Sequence, residues 1–143
     1  MILQVPISEA VELIRQKSGK TVLLKVVNDT TITIGYEINV KVPIIGQVSK
    51  NVNVNVTIDK VEKEDVYLHY AVGMHGGDAI VNSLLSLFAN DIRIVDKCDN
   101  NGLVLHLREI EEARKGLEYV EIKSISFGTD SILVNFYVKA LNY

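Results

Sequence analysis

The chain has 143 residues, 48% of them hydrophobic, and a net charge of −3; this is enough for one self-contained core and excludes a polar, disordered polypeptide. Eight basic and eight acidic side chains fall in residues 1–72, and seven and ten in residues 73–143, so no basic tail or patch invites nucleic acid or strong electrostatic attachment to anionic lipid. A single cysteine, Cys98, excludes an internal disulfide and fits a reducing compartment.

"PISEAVELIRQKSGK" reads as a short helix with Ser8 as N-cap, Glu9 and Glu12 near the positive end of its dipole, Lys17 near the negative end and Gly19 as its stop. "TVLLKVV" (21–27) is β-branched and apolar on both faces, and "NDT" turns the chain. "TITIGYEINVKV" then alternates. Ile32, Ile34, Tyr36, Ile38, Val40 and Val42 share one face, while Thr31, Thr33, Glu37, Asn39 and Lys41 share the other. Pro43 and Gly46 punctuate the next stretch. "KNVNVNVTIDKV" (50–61) alternates again, with valines on one face and uncharged asparagines on the other. After the charged turn 62–65, "VYLHYAV" turns Val66, Leu68, Tyr70 and Val72 inward. Four strands with short links predict an antiparallel meander, in which 31–42 and 51–61 are neighbours.

"GMHGGD" (73–78) interrupts the meander, and Asp78 caps a predicted helix over 79–89. Its Ile80, Val81, Leu84, Leu85, Leu87 and Phe88 cover more than half the circumference, and Asn82, Ser83, Ser86 and Asn90 add no charge. Such a helix is either enclosed by the core or faces an apolar ligand, a membrane surface or another subunit. At eleven residues, broken by polar side chains, it is too short to span a bilayer. "DIRIVDKC" and "LVLHLRE" form a hairpin about Asp99-Asn100-Asn101-Gly102. "REIEEARKGLEY" is an amphipathic helix burying Ile110, Ala113 and Leu117, with Arg108–Glu112 and Glu111–Lys115 as exposed i,i+4 pairs. Two further strands, "EYVEIKSISF" and "SILVNFYVKAL", close the chain about the turn 128–130. The whole reads as one α+β domain over residues 1–143.

Chemistry-bearing residues form no recognised set. His69, His75 and His106 lack the spacing of a metal pair, and no second cysteine joins them. The glycine loop 73–78 could offer amides to an anion, but it is neither GxGxxG nor GxxxxGK[ST], and Asp78 puts negative charge there. "DKCDNNG" lacks calcium-loop spacing, no motif sets a histidine beside Cys98, and Glu109, Glu111 and Glu112 belong to a solvated helix face. The expectation is a non-enzyme without metal or cofactor. The start "MILQVPISEA" meets acidic residues too early for a signal peptide, so a cytoplasmic protein is expected.

The order of elements, from "PISEAVELIRQ" through "LEYVEIKSISFGTD" to "SILVNFYVKAL", resembles that of the tubular lipid-binding (TULIP) superfamily, of the bactericidal/permeability-increasing and synaptotagmin-like mitochondrial-lipid-binding types. The resemblance implies a highly curved antiparallel sheet wrapped around a hydrophobic helix, with a groove for acyl chains. It agrees with strands that keep one apolar face and need one cover. A groove of this kind would take Ile38, Val54 and Val56 from the sheet and Leu84, Leu85 and Phe88 from the helix. Head-group contacts would fall to His75 and the amides of Gly76 and Gly77. The functional expectation is a soluble carrier or sensor of a lipid or other apolar small molecule, with transient membrane contact. The alternative is a non-catalytic protein–protein interaction or self-association module with a solid core, which predicts a homo-oligomer.

Overall fold

The computed structural model describes residues 1–72, 82, 83, 85 and 94–139. They form an α+β structure of two antiparallel sheets. The larger has the order β2-β3-β4-β5-β7-β6 and the smaller the order β1-β9-β8. The larger comprises β2 (Leu23–Val26), β3 (Thr31–Val42), β4 (Gly46–Glu62), β5 (Asp65–Val72), β6 (Val95–Cys98) and β7 (Gly102–His106). The smaller comprises β1 (Ile2–Pro6), β8 (Val120–Phe127) and β9 (Ser131–Val138). The helices are α1 (Ile7–Ser18) and α2 (Glu111–Leu117), the latter entered through a 3₁₀ turn at Leu107–Glu109. No helix among the described residues is long and apolar enough to cross a membrane.

The meander β2 to β5 follows from the alternation. β3 and β4 pair antiparallel in a register that sets Ile32 against Val56, Ile34 against Val54 and Tyr36 against Val52. All six of these side chains are buried, Val54 completely so. On the opposite face the same register aligns polar partners. Thr31 Oγ1 lies 2.9 Å from Thr57 Oγ1, Thr33 donates to Asn55 Oδ1 at 2.6 Å, and Ser49 donates to Asn39 Oδ1 at 3.1 Å. Asn55 of the Val/Asn strand therefore belongs to a cross-strand hydrogen-bonded surface. Opposite Asn53 stands Gly35, where a Cβ would come within 2.8 Å of the Asn53 side-chain oxygen. β4 is longer than the alternation alone predicts, because Gln47 and Ser49 also find partners in Lys41 and Asn39. Its pairing with β5 slips between Ile58 and Lys60. Asp59 occupies that bulge, and His69 Nδ1 lies 2.6 Å from its carboxylate.

The apolar face of β3–β4 is covered from two sides. From α1 come Ile7, Val11 and Ile14; from the smaller sheet come Phe127 and Ile132. Two backbone bonds join the small sheet and the helix to their surroundings: Phe127 N–H donates to the Asp29 carbonyl at 2.8 Å, and Ile7 N–H donates to the Asp130 carbonyl at 2.9 Å. The second of these replaces the cap expected from Ser8. α1 begins at Ile7 directly out of β1, with Pro6 in the capping position and no side-chain cap. The predicted stop is present: Gly19 has φ 74°, and its N–H donates to the Arg15 carbonyl at 2.8 Å.

The hairpin about residues 99–102 also forms, with Asn100 and Asn101 both at φ 59°. It is β7, not β6, that lies beside β5. The expected intrahelical ion pairs of "REIEEARK" are replaced by ties between elements. Arg108 Nε contacts Glu64 at 2.8 Å, and Lys17 bonds Glu112 and so links α1 to α2. The glycine loop 73–78, with Asp78, lies outside the described residues, as does most of the predicted helix 79–89.

Candidate functional site

β3 runs out of its covered region toward a pocket. Ile32, Ile34 and Tyr36 are each 6% exposed, whereas Ile38, the next residue of the same row, is half-buried. A pocket of about 550 Å³ opens there, lined by Lys20, Thr21, Tyr36, Glu37, Ile38, Asn39 and Ser83. Three parts of the chain supply these groups: the link after α1, the middle of β3, and Ser83. The Tyr36 phenol lies 3.0 Å from Ser83 Oγ. Burial pushes the Tyr36 pKa up from its usual 10.0, against the pull of this bond, so the phenol stays neutral and gives the pocket lining a polar group. Tyr36 and Ile38 make the apolar part of the lining, and Lys20, Glu37 and Asn39 its charged and amide part.

The predicted lining residues separate. Ile38 stands in the pocket wall. Val54 and Val56 sit deeper on the same face, in the core with Val22, Ile34 and Phe127. Leu85 is half-buried, and Ser83, two residues before it, meets Tyr36. Leu84, Phe88, His75, Gly76 and Gly77 lie outside the described residues. The Tyr36–Ser83 contact was not anticipated, because alternation assigns Tyr36 to the buried face without saying what its hydroxyl meets.

A second pocket, of about 370 Å³, is lined by Lys63, Glu64, Asp65, His106, Arg108 and Glu109. His106 is held from both sides: Nδ1 lies 2.8 Å from Asp65 Oδ1 and Nε2 lies 2.7 Å from Asp96 Oδ2. A ring with carboxylates at both nitrogens donates from both, which is the imidazolium form. The bonds to Asp96 and then Asp65 raise its pKa above the ordinary 6.5. The two carboxylates approach opposite edges of the ring and do not converge on a point. Among the described residues, no group of three or more His, Cys, Asp or Glu side chains is placed to hold a metal ion.

The bridge ties β5, β6 and β7 together and has a definite pH signature. Its stabilisation is present in full below the ordinary histidine pKa of 6.5 and fades as pH rises through the raised folded value. His106→Gln keeps the hydrogen-bonding shape without the charge. The stability difference between wild type and this variant, from urea titrations across neutral pH, should therefore shrink toward alkaline pH. A difference independent of pH would mean that the ring is not charged in the folded protein.

The chain matches no protein-family model, no curated protein and no solved structure.

Proposed function

We propose that the protein is a non-catalytic binding protein for a lipid or other apolar small molecule. The ligand would lie between the apolar face of β3 and the segment 79–89, with that sheet curving around a helix in the tubular lipid-binding manner. The observation that carries this reading is the change along one row of β3. Ile32 and Ile34 are sealed by the core, while Tyr36 and Ile38 continue the row into an open pocket next to Ser83. The order of elements, with its resemblance to tubular lipid-binding modules, supports the same reading. An acyl chain on such a wall would be held by water exclusion, about 0.8 kcal/mol per buried CH₂ before the costs of ordering. The charged and amide part of the lining would leave a polar end group in water.

One observation favours the alternative. Val52 and Val54 are 1% and 0% exposed, so the covered part of this face is packed solid, as an interaction or self-association module would have it. A single experiment separates the two. Protein from its own source is taken to native mass spectrometry, with an organic extract of the same sample. A co-purifying lipid that is lost in folded Ile38→Asp and Leu85→Asp variants is the expected result. A protein that carries no lipid, takes up no fluorescent fatty acid at micromolar concentration and runs as an oligomer on a sizing column would establish the module reading instead.

A further inference from the structure

The β3–β4 hairpin outruns the sheet to which it belongs. β2 pairs with β3 only over Ile32–Gly35, and β5 pairs with β4 only over Val54–Glu62. From Tyr36↔Val52 to Val42↔Gly46 the two strands pair with each other, and among the described residues no third strand flanks them. At ~3.4 Å per residue this ribbon carries its tip roughly 20 Å beyond the sheet.

The tip is built against the usual rules for an exposed turn. Its loop is Pro43-Ile44-Ile45; Ile44 is 107% exposed and Ile45 is 74% exposed. Proline followed by a residue at φ 75° is the pattern of a type II turn, in which the second position calls for glycine or asparagine. Here that position holds Ile44, a β-branched residue for which the left-handed conformation is strained. Turn chemistry therefore does not account for the isoleucine, and water does not favour it.

The charge around the tip differs from that of the whole chain. Residues 38–58 contain Lys41 and Lys50 and no acidic side chain, in a protein of net charge −3. The pleat sets these lysines on opposite faces of the ribbon, since Lys50 pairs with Ile38 on the apolar face and Lys41 belongs to the Asn39 face. Glu37, opposite Asn51 at the base of the ribbon, is its one acidic group, and the polar side chains between it and the tip, apart from the lysines, are neutral Asn, Ser and Gln. Apolar side chains at the apex, cations behind them on both faces and no acid nearer the apex than Glu37 complement an anionic lipid surface. A protein partner fits less well. Three loop residues at the end of a narrow ribbon cannot approach the roughly 1,000 Å² that a stable interface buries, whereas a bilayer needs no complementary groove.

We propose that the Pro43–Ile45 tip of the β3–β4 hairpin inserts into the interface of a membrane carrying anionic lipid, with Lys41 and Lys50 held at the level of the head groups. The contact is weak and reversible, because two lysines and two isoleucines provide an adhesion and not an anchor. It does not rest on a ligand in the Ile38 pocket.

The protein has no tryptophan, so an Ile45→Trp variant carries a unique reporter at the apex. Its emission should shift to the blue with vesicles of phosphatidylcholine and phosphatidylserine, less with phosphatidylcholine alone, and less again at high salt. In co-sedimentation, wild type should bind the mixed vesicles, and the double variant Ile44→Asp, Ile45→Asp should lose at least about tenfold in binding. Ile44→Gly, which relieves the turn, should melt no lower than wild type yet bind more weakly. Lys41→Glu with Lys50→Glu should abolish the preference for phosphatidylserine. The proposal is overturned if wild type stays in the supernatant with both vesicle types. It is also overturned if the double aspartate variant sediments as wild type does, or if the tip substitutions change only the elution volume on a sizing column.

Discussion

Exchanging valine and asparagine throughout 51–56 should abolish cooperative folding. The permuted variant carries Asn51→Val, Val52→Asn, Asn53→Val, Val54→Asn, Asn55→Val and Val56→Asn, so composition, length and charge are unchanged. Only the face of the strand is inverted. Val52, Val54 and Val56 are buried, and Asn51, Asn53 and Asn55 are exposed. Each valine moved outward gives up about 1.5–3 kcal/mol of burial, and each asparagine moved inward adds about 1–3 kcal/mol if its amide finds no partner. Three such exchanges reach the whole stability of a small domain, ~5–15 kcal/mol. A one-residue slip of β4 could restore the faces, but it would break the Thr31–Thr57 and Thr33–Asn55 bonds and displace the bulge at Asp59. Circular dichroism and a urea titration decide the matter. A native-like spectrum with a cooperative transition would show that the strand is free to slip and that the alternation does not set the register.

Phe127→Ala should cost ~3–5 kcal/mol. Phe127 is the last residue of β8, yet it is buried in the cluster formed by β3 and β4. Its backbone N–H also reaches Asp29 in the turn between β2 and β3. Truncation empties the seam between the two sheets while leaving each sheet's own ladder intact. If the sheets unfold as one unit, the urea midpoint falls with the slope unchanged. A loss below about 0.5 kcal/mol would mean that the cluster does not need this ring and that the sheets are energetically separate.

What could be read directly from the sequence was local. The period-two rows of β3 and β4 named the buried residues Ile32, Ile34, Tyr36, Val54 and Val56 and made the two strands antiparallel neighbours. Gly19 and the Asn100-Asn101-Gly102 turn marked their positions by backbone chemistry alone. What escaped was decided by contacts between distant residues. "ILQVP" has no alternation long enough to announce a strand, and it becomes β1 only because β9 pairs with it. The split into two sheets has the same origin. Helical spacing pairs Arg108 with Glu112, one turn away, but Arg108 meets Glu64 and Glu112 meets Lys17 on other elements. At the candidate site the row that contains Ile38 was legible, but the point along it where the core ends and a pocket begins was not, because that depends on how far α1 and the small sheet reach across it.

The pairing of β1 with β9 has a consequence for how the chain is made. Ile2 finds its partner in Asn135, and Val5 in Ile132. The meander can close as its strands emerge, each on its immediate predecessor, but β1 must wait until nearly all of the intervening residues have been synthesised. At ribosomal rates that delay is on the order of ten seconds. Throughout it, the strand that leads into α1 has open backbone groups and apolar side chains. In the finished protein Ile2 and Leu3 are still 67% and 53% exposed, so β9 pairs one edge of the β1 backbone without hiding its side chains. During those seconds β1 is open to capture by a chaperone or by a neighbouring nascent chain, and the emergence of β9 is the event that gives its backbone a native partner.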